Sequence, residues 1–488
     1  MSGIAGIAHS DRGPAVAAML DRIRYRGPDG RAVQGTGSGV FGAVSLSLRP
    51  FDSAGPIIRK GRMIAWDGEI YDFDALRNAA GSKAETDLEA ILDLYDLEGP
   101  EVLARLNGPF ALALLDGDDL ILARDTLGLA PLYYGTAGGR TCFASEIKAL
   151  QEAAGEIRLF PPGHFMARGE IKPLPVRDVP LSMDTDPGRI AGDLRRRLEK
   201  AVDRRLAQSP RMGVWLSGGL DSSVMASLAA AASPSVATFS AGMQGASDLA
   251  FARDAASFLG TEHHECLVTV DEMLKVLPLV IYHLESFDAP LVRSSLANFV
   301  VARAAARYVR VVLSGEGADE LFAGYGFLKK RPAGSLRTAL LEAQGALHNT
   351  ALQRVDRMAA ACGIRARPGF LDADVVAFAN AMPDSVKISG PEGTEKWILR
   401  KAFEGRLPDD VVWRPKEKFW SGSGISGTIG EIAEGRISDD EFSGERELAP
   451  GFILSSKEDL FYWRIFRRWF PRAGLLEGMG RTVHRETS

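Results

Sequence analysis

The chain has 488 residues, 46% apolar and 25% charged, with 58 Lys and Arg against 63 Asp and Glu and a net charge of −5. That length is too great for one ordinary core and predicts two domains, or three, while the charge gives no global case for nucleic acid or an anionic membrane as partner. No apolar run nears the ~18 residues of a membrane helix, and the apolar start Ser2 to Ala8 has no basic flank, so neither a membrane span nor a signal peptide is expected.

Residues 1–170 read as β-rich. Short apolar runs such as "GVFGAVSLSL", "RMIAWDGEIY" and "FALALLDGDDLILARD" are punctuated by Gly and Asp pairs, the pattern of antiparallel hairpins. Two helices interrupt them, "GPAVAAMLDRIRY" and "TDLEAILDLYDLEG"; in the second, Thr86 and Glu89 have capping-box spacing. This half is therefore α+β with layered sheets. Four prolines and no periodicity in "KPLPVRDVPLSMDTDPG" mark the domain boundary, with domains at 1–175 and 191–488 and a linker at 176–190. A charged amphipathic helix follows. Then the apolar runs "GVWL", "SVATFSAG", "HHECLVTV" and "VRVVLSG" alternate with helices near 221–232, 248–259, 271–284 and 295–307, which predicts a parallel sheet covered on both faces. Residues 333–480 read as mostly helical. Cys142, Cys266 and Cys362 are far apart and odd in number; they predict buried free thiols and a reducing, cytoplasmic setting.

One turn carries the strongest chemical signal. A short strand ends at Leu216, Ser217-Gly218-Gly219 follow, and a helix starts near Asp221. Two glycines let the backbone approach a ligand, the amides of the new helix face outward, and Ser217, Ser222 and Ser223 add hydroxyls: a cradle for phosphate or pyrophosphate. Asp221 is out of place beside an anion unless it holds a Mg2+ that bridges to the phosphates. The Gly-Lys-Ser/Thr of a Walker loop is missing.

"SGGLDSS" resembles the pyrophosphate loop of the ATP-pyrophosphatase enzymes. More narrowly, the chain resembles asparagine synthetase B and its relatives, the β-lactam and carbapenam synthetases and the lasso-peptide cyclases, in ordered blocks over nearly its whole length: "RYRGPDG", "DGEIYDFDALR", "RDTLGLAPLYY", "FASEIKAL", "YHLESFD", "LSGEGADELFAGY", "GIRARPGFLD" and "RPKEKF". The resemblance implies an α+β N-terminal-nucleophile-type sandwich domain. An α/β ATP-pyrophosphatase (adenine nucleotide α-hydrolase-like) domain follows, with a parallel sheet and a helical C-terminal part. It also implies ATP and Mg2+ as cofactors and a homodimer.

In the second half, the resemblance gives Ser314 and Gly315 contacts to the nucleotide, beside the acidic cluster Glu316, Asp319 and Glu320, and makes Glu316 a candidate catalytic acid. Ala241 matches the strand end that contacts adenine. Asp288 pairs with Asp221 in holding Mg2+. Glu285, three residues before Asp288, sits where asparagine synthetases keep an acid near the incoming nitrogen; a carboxylate there is a sensible base for an ammonium or amine, which must lose a proton to attack. Lys416 matches the lysine over the adenylate, where its charge would stabilise the developing oxyanion. Arg293 reads equally as a grip on a substrate carboxylate or as half of an internal ion pair.

In glutamine-dependent relatives the chain starts Met-Cys-Gly-Ile, and the cysteine attacks glutamine with its own α-amine as base. This chain has Ser2. It has Asp67 where relatives place an oxyanion-binding Asn, and Ser45 where relatives place the Arg that grips the glutamine carboxylate, although Arg49 lies close enough to substitute in another register. Asp87, matching the acid that holds the glutamine amine, is kept. The expectation is a first domain without glutaminase activity; a serine-dependent glutaminase is the alternative. The whole reads as an ATP-dependent, AMP-forming amide synthetase that joins a small-molecule carboxylic acid to an external amine or ammonia, with no nucleic acid or membrane partner. Ring closure within one substrate, ordinary asparagine synthesis and non-catalytic nucleotide binding stand as alternatives.

Overall fold

The computed structural model describes residues 2–482 apart from 50–51, 53–54, 176–179, 183, 208, 210, 333, 391–392, 416–426, 473–478 and 480–481. The chain divides into two compact units. The first is Met1–Val179 with Ala207–Ser209 and Gly363–Arg365; the second is the remainder from Pro180 onward.

The first unit contains the strands β1 (Ser2–Ala8), β2 (Gly30–Thr36), β3 (Gly39–Ser45), β4 (Ile57–Arg59), β5 (Arg62–Gly68), β6 (Phe110–Asp116), β7 (Asp119–Arg124), β8 (Tyr133–Ala137), β9 (Arg140–Ala144), β10 (Glu156–Leu159), β11 (His164–Ala167) and β12 (Glu170–Pro173). They form two antiparallel six-stranded sheets, ordered β10-β8-β9-β1-β3-β2 and β12-β11-β7-β6-β5-β4. The period-2 rule shows in β5. Met63 and Ala65 share a core with Ile4, Phe41 and Ala43 of the other sheet, whereas Ile64 and Trp66 join a second core with Leu88, Ile91 and Tyr95 of the helix Asp87–Glu98. That helix starts with the expected capping box between Thr86 and Glu89. The helix Gly13–Arg22 covers the first sheet with Val16, Met19 and Leu20.

In the second unit, β13 (Gly213–Trp215), β14 (Ala237–Gly242), β15 (Glu262–Leu267), β16 (Val311–Ser314) and β17 (Arg365–Pro368) make a sheet ordered β15-β14-β13-β16-β17. The pairs β13/β14, β14/β15 and β13/β16 are parallel. The intervening helices are Leu220–Ala232, Ser247–Leu259, Val270–Leu284 and Ala289–Ala305. Successive strands leave β13 on one side, through β14 to β15, and the chain then returns to β16 on the other, so a topological switch lies between β13 and β16. In such sheets the crevice at the carboxyl ends there receives ligands.

Two sequence expectations are corrected. The run "HHECLVTV" does not stay a strand to its end: Thr269 turns to cap the next helix in a box with Glu272, and Val270 is its first residue. The described residues of 333–480 are mostly helical, as expected, and also supply β17 and a small ribbon of Glu447–Ala449 with Phe452–Ile453. In β17 "RARP" offers no apolar run, because Arg365 and Arg367 are buried with polar partners instead. The helix opening the second unit begins at Pro187, inside the stretch read as linker.

Candidate functional site

Leu216 extends β13 by donating its amide to Phe239 O at 2.8 Å. The chain then turns. Gly218 adopts φ +74°, and a Cβ there would lie 2.5 Å from Phe251 Cβ, so only glycine fits. The Ser222 hydroxyl ties the turn together: it accepts from Ser217 N at 3.1 Å, meets Ser217 Oγ at 3.1 Å and donates to Gly219 O at 3.1 Å. Gly219 starts the helix Leu220–Ala232 with no side-chain cap of its own, leaving the first amides of that helix for an anion.

The turn after β16 packs onto this one. A Cβ on Gly315 would lie 2.9 Å from both Asp221 C and Ser222 N, so the two strand-end turns touch through backbone. Ser223 Oγ and Ser314 Oγ are buried and lack any hydrogen-bond partner. Two bare hydroxyls at two touching turns are a costly arrangement for an empty protein and a natural one for a site that takes a polar ligand. Ala241 closes the carboxyl end of β14, in register with Cys266 of β15.

Lys396, which sequence reasoning missed, dominates the electrostatics. Its ammonium lies 2.7 and 2.6 Å from the two Asp221 oxygens and 2.5 Å from Asp319 Oδ1. Burial alone would depress its pKa, but the two aspartates carry it above the ordinary lysine value. Lys396 sits at φ +53°, with its amide on Phe322 O. Arg414 was also missed. Its guanidinium reaches Gly218 O at 3.4 Å and Asp248 Oδ1 at 2.9 Å and stacks 3.9 Å over Phe251. It anchors the block "RPKEKF" on the turn; Lys416, in that block, lies outside the described residues.

The two aspartates expected to hold Mg2+ each have a partner within the protein. Asp221 is committed to Lys396, while Asp288 caps the helix Ala289–Ala305 through Leu291 N at 3.1 Å and accepts from Thr482 Oγ1 at 2.6 Å. Among the described residues no group of three or more His, Cys, Asp or Glu forms a metal cluster. Glu285 ends the helix Val270–Leu284 in the left-handed region at φ +58° and is fully enclosed, 3.2 Å from Arg357. Glu316 pairs with Arg354 at 2.8 Å and keeps 22% of its side chain exposed. Arg293 lies 2.8 Å from Glu458 Oε1, an internal ion pair.

The first unit holds a second polar centre. Ser2 opens β1 opposite Ser45 of β3 in the register. A small cavity is lined by Ser45, Arg49, Asp52, Glu69, Asp87 and Arg365. Ser45 brings only a hydroxyl, buried and without a partner. Arg49, four residues on, supplies the guanidinium instead and is held 2.8 Å from Asp87 and 2.8 Å from Asp52. Burial raises the Asp87 pKa, and Arg49 opposes the rise. Asp67 is sealed between Arg26 at 3.2 Å and Arg365 at 3.4 Å, with Arg365 also 3.1 Å from Glu69.

Residues 193–347 and 331–482 match the family described as Asparagine synthase, and residues 1–162 match the Glutamine amidotransferase domain. The chain is 35% identical to Asparagine synthetase B (glutamine-hydrolyzing) of Escherichia coli (strain K12), over 93% of this chain and 88% of that protein. It is 32% identical to the Probable asparagine synthetase (glutamine-hydrolyzing) of Dictyostelium discoideum, over 96% of this chain and 92% of that one. With Asparagine synthetase (glutamine-hydrolyzing) 3 of Arabidopsis thaliana it shares 34% identity, over 94% and 85%. Two family matches in chain order and identity of this extent over nearly the full length place the chain in the asparagine synthase family, and with it among the carbon–nitrogen ligases.

Proposed function

We propose that the chain activates a small-molecule carboxylic acid with Mg-ATP, releases pyrophosphate, and transfers the acyl group to an external amine or ammonia, without glutaminase activity of its own. The observation that carries the first half is the pair of touching strand-end turns with unsatisfied hydroxyls on Ser223 and Ser314. These hydroxyls, the Ser217–Gly219 backbone and the amides of the helix Leu220–Ala232 bind the phosphates, and Ser314, Gly315 and Ala241 hold the rest of the nucleotide. Lys396 supports the leaving pyrophosphate. One ammonium facing two carboxylates leaves this corner with one surplus negative charge. A triphosphate adds more, so the nucleotide brings its own divalent cation, and Asp221 and Asp288 become ligands only once it is bound. Lys416 stabilises charge on the acyl oxygen. Glu316 accepts the proton that an ammonium must lose, and Glu285 is the second acid of the step.

The loss of glutaminase rests on the first unit. Arg49 and Asp87, the groups suited to an amino acid's carboxylate and amine, are paired with each other, and Asp67 would repel an oxyanion. A second reading, asparagine formation from aspartate, is favoured by the names of the relatives. ATP–pyrophosphate exchange over a panel of acids including aspartate, followed by product analysis with ammonia or glutamine, decides between them. Exchange with no acid would remove the proposal, and glutamine-supported product that disappears in Ser2→Ala would restore the glutaminase.

A further inference from the structure

The helix Ala351–Ala361 touches both acids assigned to the nitrogen-transfer step, and touches them from one face. Arg354 donates to Glu316 Oε1 at 2.8 Å, and Arg357, three residues later, donates to Glu285 Oε2 at 3.2 Å. An i, i+3 pair points the same way from a helix, so one rigid element sets both carboxylates. A third side chain completes the bracket: Gln353 Nε2 donates to Leu284 O at 2.7 Å, the carbonyl just before Glu285. Glu285 needs this support because it is a non-glycine residue in the left-handed region, a conformation that costs about 1 kcal/mol or more and persists only where the surroundings impose it.

The two pairs are not alike. Arg357 and Glu285 are 1% and 0% exposed, a closed internal pair. Arg354 and Glu316 are 12% and 22% exposed, and Arg354 Nε is buried without a hydrogen-bond partner. The open pair can meet a small nucleophile; the closed pair fixes the backbone from which the helix Val270–Leu284 ends.

We infer that Arg354 and Arg357 are positioning residues for amide formation, holding the Glu316 and Glu285 side chains in place from a single helix where the nitrogen nucleophile is received. This rests on the function proposed above. In the step concerned, the ammonium nitrogen loses one proton to the Glu316 carboxylate, its lone pair forms the bond to the acyl carbon, and its second surplus proton passes to the phosphate oxygen of the departing AMP. The bond from that carbon to the phosphate oxygen breaks, and AMP leaves with the electron pair. Adenylation itself makes no demand on either arginine.

The test separates the two half-reactions in the full-length enzyme. ATP–pyrophosphate exchange reports adenylation, and hydroxamate yield with hydroxylamine as probe reports nitrogen transfer. Arg354→Gln is expected to keep exchange within about threefold of wild type, lower hydroxamate formation by about 10- to 100-fold, and raise the ratio of AMP released to hydroxamate formed. Arg354→Lys, which keeps the charge, recovers part of the loss. Arg357→Gln leaves a buried acid unanswered and risks the fold, so Arg357→Lys is the variant to measure there, with the same split expected. Equal falls in exchange and hydroxamate, or no fall in either, would overturn the inference while leaving adenylation intact as a reading. A wild-type enzyme with no acid-dependent exchange would remove the function proposal and this one with it.

Discussion

The polar centre of the first unit and the strand-end turns of the second treat buried polar groups in opposite ways. In the first unit nearly every charge is answered from within: Arg49 by Asp87 and Asp52, Asp67 by Arg26 and Arg365, Glu69 by Arg365. A ligand entering that cavity must first break a buried ion pair. In the second unit Asp221 and Asp319 share the single ammonium of Lys396, and the hydroxyls of Ser223 and Ser314 and the amides of a helix start are left over. The first centre keeps a spare hydroxyl on Ser45, but beside closed ion pairs; spare hydroxyls at two touching turns next to a helix start mark the second as the site built to receive something.

The sharpest way to break this contrast is Lys396→Ala. It removes the cation from between Asp221 and Asp319 and leaves two carboxylates facing the phosphates, so pyrophosphate exchange is expected to fall by roughly 100- to 1000-fold. Full exchange in that variant would mean that the turns do not bind a triphosphate. A second buried lysine supplies the control for burial alone. Lys387 is 2% exposed, and burial pulls its pKa from 10.5 down to about 8, with Asp384 one turn earlier only partly opposing this. Unfolded, the same lysine keeps its proton to about pH 10.5. Between these values the unfolded chain binds more protons, so stability rises with pH through that window, and below pH 8 the whole penalty, roughly 3 kcal/mol, is present. Lys387→Met should therefore stabilise the enzyme at pH 7, by up to that amount, and much less at pH 10. Equal gains in denaturant midpoint at the two pH values would refute the buried-charge account.

Much of this was legible in the chain. Alternating apolar residues give the sheets of the first unit, and "SGGLDSS" after a short apolar run places the cradle at a strand end, because strand, turn and helix each leave a local pattern. What was illegible is what depends on distant partners. Lys396 lies 175 residues from Asp221, after the turn-like run "SGPEG" that points to no distant carboxylate, and its side chain acquires meaning only by meeting Asp221 and Asp319. Arg354 and Arg357 look like the polar face of an ordinary amphipathic helix. The pairing of Asp221 with Asp288 comes from resemblance alone, and nothing in the sequence says that Asp288 also caps a helix. In β17, arginines stand where apolar residues mark other buried strands, so the usual signal is missing.

Smaller changes refine the comparison within the second unit. Ser223→Ala and Ser314→Ala delete hydroxyls that have no partner in the protein, so thermal stability should hold or rise slightly while KM for ATP increases about five- to tenfold, the net worth of one ordinary hydrogen bond. Ser222→Ala deletes a hydroxyl that binds the turn to itself, and should lower the melting temperature as well. If all three behaved alike, the distinction between spare and committed groups would carry no information.

The smallest expected effect belongs to the first unit. Ser2→Cys restores the thiol that relatives use, yet it leaves Asp67 buried between Arg26 and Arg365 and leaves Arg49 paired to Asp87 at 2.8 Å. For glutamine to bind, its carboxylate and amine must replace each partner at once, and the oxyanion formed next must develop beside a carboxylate. Ammonia release from glutamine by Ser2→Cys should stay at background, as should the double variant with Asp67→Asn, because removing the repulsion does not open the Arg49–Asp87 pair. Turnover in either variant would show that this pair yields to ligand as readily as the hydroxyls of the second unit do, and that the two centres differ in chemistry rather than in readiness.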